Sequence, residues 1–71
     1  MKVIIDAKKL GNKADSHIYL KDLFHFPEHY GNNLDALHDC LEEMSDLEIQ
    51  IENEEEAGAY FRYVKRVLED L

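Results

Sequence analysis

The chain cannot close a disulfide on itself, because Cys40 is its only cysteine. With no CxxC pair it also lacks the usual zinc and dithiol motifs. Cys40 falls near the buried side of a central helix, where cysteine acts as a small hydrophobe. No apolar run is long enough to cross a bilayer. Lys2 is followed by only a few apolar residues before Asp6, which is not the pattern of a secretory leader, so a cytoplasmic location and no membrane contact are expected. Basic residues are scarce, with 8 Lys and Arg against 16 Asp and Glu for a net charge of −8. Nucleic-acid binders are normally basic, so direct RNA or DNA binding is not expected. An acidic chain suits a basic protein partner, since opposite fields speed encounter, although acidity also serves plain solubility. Repeats, low-complexity stretches and linkers are absent. A hydrophobic content of 45% in 71 residues fits one small folded domain over residues 1–71.

What is present is concentrated in FPEHYGNNLDALHDCL, Phe26 to Leu41. Pro27 keeps Phe26 out of helical geometry and ends any preceding helix. Gly31 can take a positive φ where the chain turns. Asn33 is placed to cap a helix beginning at Leu34. Leu34, Leu37, Leu41 and Met44 then form one apolar stripe. At about 100° per residue, Asp35, Asp39 and Glu42 share another side, with His38 between the two. A solvated face on an acidic protein would look the same.

Around this stretch the order reads β-α-α-β-α. Val3, Ile4 and Ile5 form a short β-branched run, expected as a strand buried on both faces. Gly11 and Asn12 mark a loop. A first helix is expected from about Asp15 or Ser16, either of which could cap it, with Leu20, Leu23 and Phe24 inward. Leu47, Ile49 and Ile51 alternate with Glu48, Gln50 and Glu52, as in a strand with one wet face. Asn53 and Glu56 have the form of a capping pair. They predict a long last helix from about Glu54 to Leu71, with Tyr60, Phe61, Val64 and Val67 inward. Two strands joined by helices favour a parallel pair.

The run PEHYGNNLDALHDCL, together with the opening MKVIIDAKKL and its distance from that run, resembles the barstar family, small intracellular inhibitors of secreted ribonucleases. The resemblance implies an α/β fold: a small parallel sheet packed with three helices. The family's third strand has no counterpart here, so two strands are expected. The free sheet edge raises a homodimer as a hypothesis. The resemblance further implies inhibition by phosphate mimicry, since a carboxylate can satisfy the cationic donors that a ribonuclease uses for RNA phosphates. Asp39 would enter the phosphate site and Asp35 would meet basic residues beside it, with Glu42 on the same face. Gly31 and Asn33 would contribute hydrogen bonds from the loop. A carboxylate of the last helix would assist, with Asp70 preferred to Glu69. His29 and His38 stand where the better-known member has large aromatic residues, which implies a differently shaped basic target. Protonation of His38 would lower the negative charge of this face, so affinity is expected to weaken as pH falls through the histidine range.

The expected function is therefore a cytoplasmic protein inhibitor of a basic ribonuclease, with no cofactor and no catalysis of its own. The alternative is an immunity or antitoxin module for a basic protein that is not a ribonuclease. A metal site is not expected: His25, His29, His38, Cys40, Asp35 and Glu42 offer ligands, but in no recognised zinc spacing. Paired carboxylates hydrolyse glycosides, but that work needs a water-excluding cleft that a convex helix face does not supply.

Overall fold

The computed structural model describes residues 1–71. Its elements are β1 (Lys2–Asp6), a 3-10 turn (Ala7–Lys9), α1 (Lys13–Phe24), α2 (Leu34–Glu42), β2 (Glu48–Glu52), a second 3-10 turn (Glu54–Glu56) and α3 (Phe61–Glu69). This is the expected α/β layout, three helices on a parallel sheet of two strands. The register runs from Lys2 opposite Glu48 to Asp6 opposite Glu52. Val3 lies beside Ile49, and Ile5 beside Ile51, on the face that meets the core. Leu20, Phe24, Leu37, Leu41, Phe61 and Val64 complete that core from the three helices. Because side chains alternate along a strand, Ile4 points the other way and is 43% exposed. The expectation of a strand buried on both faces is corrected, since the core covers one face of this small sheet. With two strands, each also has one unpaired edge.

The first helix begins earlier than its sequence suggests. Asn12, not Asp15 or Ser16, caps it: Asn12 Oδ1 accepts the Asp15 N–H at 2.8 Å, and Asn12 Nδ2 donates to Asp15 Oδ2 at 3.0 Å. This reciprocal pair satisfies a helix-end donor that would otherwise go unbonded. Ser16 and His17 consequently lie inside α1, fully buried. At the other end, His25 adopts a left-handed conformation (φ 59°). The Phe26 N–H then closes onto the Lys21 carbonyl at 3.0 Å, in the manner of a helix-terminating cap. Pro27 follows a helix already closed at His25.

The long last helix is likewise corrected. Asn53 is left-handed (φ 58°) and makes no side-chain cap, and its amide donates instead to Asp6 Oδ1 at 3.0 Å. After one 3-10 turn the chain runs flat against the segment following β1. The Gly58 N–H donates to the Ala7 carbonyl at 3.1 Å and the Tyr60 N–H to the Leu10 carbonyl at 3.0 Å. Those donors are thereby lost to any helix through this point. A Cβ on Gly58 would lie 2.4 Å from the Leu10 carbonyl oxygen and 2.5 Å from Gly11 Cα, so only glycine allows the docking. The helix restarts at Phe61, and Phe61 and Val64 bury its inner face.

Candidate functional site

The loop before α2 is built to hold a shape. The Tyr30 N–H donates to the Pro27 carbonyl at 3.0 Å, closing a turn. Gly31 and Asn32 follow with positive φ of 94° and 50°. Asn33 then works at both ends: its Oδ1 accepts the Ala36 N–H at 2.7 Å, and its Nδ2 donates to the Gly31 carbonyl at 3.1 Å. Helix cap and loop are thus fixed by one side chain. Phe26 supports them from below, stacked on Phe24 and tilted against Tyr30 with centroids 5.3 and 4.7 Å away.

Beneath the loop lies a polar cluster with no local sequence signal. His17, fully buried on α1, meets the Tyr30 hydroxyl through Nδ1 at 2.8 Å and the Tyr60 hydroxyl through Nε2 at 2.9 Å. A neutral imidazole has one donor and one acceptor, and each tyrosine hydroxyl can supply the complement. One ring therefore ties α1, the loop and the approach to α3 together. Burial, with a smaller contribution from Lys13, pushes the His17 pKa down. Burial also holds the Tyr30 phenol protonated far above its ordinary range, with Cys40 and Tyr60 nearby adding to the effect.

The acidic residues gather elsewhere, in an open groove of about 850 Å³ between α2 and α3. Leu34, Asp35, His38 and Asp39 line it from α2, and Tyr63, Arg66, Val67, Glu69 and Asp70 from the α3 side. The face is thus a shallow groove, not simply the convex surface expected of a single helix. Asp35 and Asp39 are exposed and make no ion pair within the chain. His38 joins the two helices: Nδ1 is 3.0 Å from Glu42 Oε1, and Nε2 is 3.6 Å from Asp70 Oδ2. The second distance is too long for a hydrogen bond, and Nε2 is buried with no bonded partner.

Of the residues singled out from sequence, Asp35, His38, Asp39 and Asp70 meet along this groove, and Glu42 is attached through His38. Gly31 and Asn33 shape the adjoining loop. His29 faces a second, smaller groove beside Phe26, Tyr30 and Cys40, which Asp39 also borders. Sequence reasoning missed Tyr63 and Arg66, whose i, i+3 spacing puts them on one helix face. It also missed the His17 cluster. Ligand atoms of His38, Asp39 and Glu42 lie within 4.8 Å of one another. All three sit on one helix, two are exposed, and His38 already holds Glu42, so an ion there would keep an open, solvent-filled side. No helix is long and apolar enough to cross a membrane.

Comparison with known proteins points the same way as the loop and α2. A sequence model described as Barstar (barnase inhibitor) matches residues 1–70. A Bacillus subtilis (strain 168) protein named "Putative ribonuclease inhibitor YrdF" is 46% identical over 50 residues, which are 70% of this chain and 55% of that protein. The chain thus spans about half the length of this curated relative. No solved structure matches it. With a family model matching almost the whole chain and a loop and capped helix held as described, the chain belongs to the barstar family.

Proposed function

We propose that the chain is a cytoplasmic, non-catalytic inhibitor of a basic ribonuclease, and that the groove face of α2 and α3 blocks the enzyme's phosphate-binding cleft. The observation that carries this reading is the state of Asp35 and Asp39: exposed, one turn apart on a rigid helix, and without a cation of their own. Carboxylates left free in this way cost the isolated helix some stability, and they are what a cluster of arginines, lysines and histidines would accept in place of phosphates. Asp39 is placed for the deepest contact, because it borders both grooves. Membership of the barstar family and the relative named as a ribonuclease inhibitor support the same target class.

Inhibition of RNA cleavage by a panel of small basic microbial ribonucleases tests the reading, with Asp39→Ala beside the natural sequence. Truncating one partner of a buried interfacial charge pair typically costs about 2–5 kcal/mol. Asp39→Ala should therefore weaken binding by at least about thirtyfold at roughly 1.4 kcal/mol per decade. No binding to any of these enzymes by the folded protein would shift the assignment to a basic toxin of another kind. One observation keeps that second reading in view: on the α2 side of the groove His38 stands where a larger aromatic anchor could, so the one exposed aromatic ring is Tyr63 of α3.

A further inference from the structure

Arg66 is the one fixed cation lining a groove that also presents Asp35, Asp39, Glu69 and Asp70. Glu69 and Asp70 follow it at i+3 and i+4, the spacings at which opposite charges meet on a helix. Yet Arg66 makes no ion pair, and its guanidinium has no hydrogen-bonded partner in the chain. Lys65, its neighbour, is by contrast bonded to Glu54 at 3.0 Å. A guanidinium offers five donors in a planar fork that matches a carboxylate or a phosphate. Here the fork is left open beside Tyr63, which is 46% exposed.

We propose that Arg66 is a specificity-determining residue that receives a carboxylate of the target protein on the border of its basic cleft. The inference rests on the inhibitor reading above and sharpens it. A free anion or an RNA strand is a poor occupant, because a net charge of −8 and four groove carboxylates repel it. A carboxylate carried on a basic protein is different: the surrounding cations of that protein meet Asp35 and Asp39, and their attraction brings the carboxylate to Arg66. Cleavage of RNA by general acid–base chemistry also needs a proton acceptor beside the phosphate cations, and glutamate and aspartate are among the side chains that serve. The groove therefore selects for a cleft of mixed charge, mostly positive with one carboxylate beside it. A uniformly basic cleft would leave its own cation facing Arg66, and like charges placed together at an interface suppress wrong partners.

The test is calorimetric binding to each ribonuclease of the panel that the natural chain inhibits, using Arg66→Gln and Arg66→Lys. Each acidic residue bordering the enzyme's cleft is changed in turn to its amide. Arg66→Gln should weaken binding by about tenfold or more, Arg66→Lys should restore part of the loss, and one enzyme amide variant should remove the effect of Arg66→Gln. Thermal melting separates recognition from a purely structural role, because Arg66→Lys keeps the charge near the C-terminus of α3 and should leave the melting temperature unchanged. Natural binding with an unaltered Kd for Arg66→Gln, or with no enzyme carboxylate coupled to it, overturns this proposal and leaves the inhibitor reading intact. Absence of binding by the natural chain to every enzyme overturns both.

Discussion

Two places in this molecule bring titratable side chains together, and they are built on opposite terms. Around His17 each ring nitrogen has a partner, at 2.8 and 2.9 Å, and the imidazole is closed to solvent. In the groove between α2 and α3 the two aspartates of α2 have no cation, Arg66 has no anion, and His38 Nε2 is buried without a bonded partner. The first arrangement uses polar groups to fix three segments against one another, since a buried polar group is tolerable only when satisfied. The second leaves the bonding capacity of Asp35, Asp39 and Arg66 unspent at the surface, where water can hold it until something else arrives, with His38 Nε2 the one unsatisfied atom beneath them. The helix α2 is thus held rigid by what lies behind it and left electrostatically incomplete in front.

The sharpest way to break the closed region is through Gly58, because the Gly58–Tyr60 strap delivers Tyr60 to His17. Gly58→Ala places a methyl 2.4 Å from the Leu10 carbonyl oxygen and 2.6 Å from the Gly11 nitrogen, all backbone atoms that cannot step aside. A loss of about 3 kcal/mol or more is expected, a large part of the roughly 4–10 kcal/mol typical of a chain this size. Urea unfolding followed by circular dichroism reads it directly. A midpoint unchanged from the natural chain would mean that the strap does not dock as described.

Next in size is His17→Phe, which keeps the volume of a ring but leaves the Tyr30 and Tyr60 hydroxyls without their shared partner. Each unsatisfied buried hydroxyl costs about 1–3 kcal/mol, and Tyr60, being only half-buried, can recover part of this from water. A destabilisation of about 2 kcal/mol is expected. The same variant carries a pH signature. Burial depresses the folded-state pKa of His17, so the native ring stays neutral while the unfolded ring takes up a proton below its ordinary pKa of about 6.5. The stability that this neutral ring contributes is complete above about pH 6.5 and falls as pH drops toward the folded-state pKa, by up to about 1.4 kcal/mol per pH unit. His17→Phe should flatten that part of the stability profile. If the acid slopes of the two proteins coincide, His17 does not titrate on unfolding, and the closed description of its site is wrong.

The same contrast explains what could be read from the residues alone. The strands, the cap at Asn33, the turn at Gly31 and the spacing of Asp35 and Asp39 follow from local pattern, and the structure has them where the pattern puts them. The failures are long-range. Nothing near Glu54 says that Gly58 will dock on Leu10, so an amphipathic stretch that reads as one long helix is cut in two. Nothing near His17 says that two tyrosines, 13 and 43 residues away, will converge on it. The groove was half legible: α2 supplies its acidic wall by periodicity, whereas Tyr63 and Arg66 join it only because α3 packs across α2. The start of α1 is a different kind of miss, since Asn12, Asp15 and Ser16 are all capping residues and only the observed bond from Asp15 N–H to Asn12 chooses between them.

The smallest expected effect has the opposite sign, and it tests the open region in the absence of any partner. Asp35 and Asp39 stand at i and i+4 on α2 and repel each other by about 0.2–0.5 kcal/mol. Asp35 is compensated because it lies in the first turn, where the helix dipole favours a carboxylate. Asp39 lies closer to the C-terminal end and has no such compensation, and no cation of the chain pairs with it. Alanine also has the higher helix propensity, by up to about 0.7 kcal/mol. Asp39→Ala should therefore make the isolated protein more stable, by about half a kcal/mol, while it weakens ribonuclease binding. Raised salt should narrow that gain by screening the repulsion. Thermal melts at low and high ionic strength decide the matter. A variant that is less stable than the natural chain would show that Asp39 is already satisfied within the fold, and the carboxylate would then not be free to stand in for a phosphate.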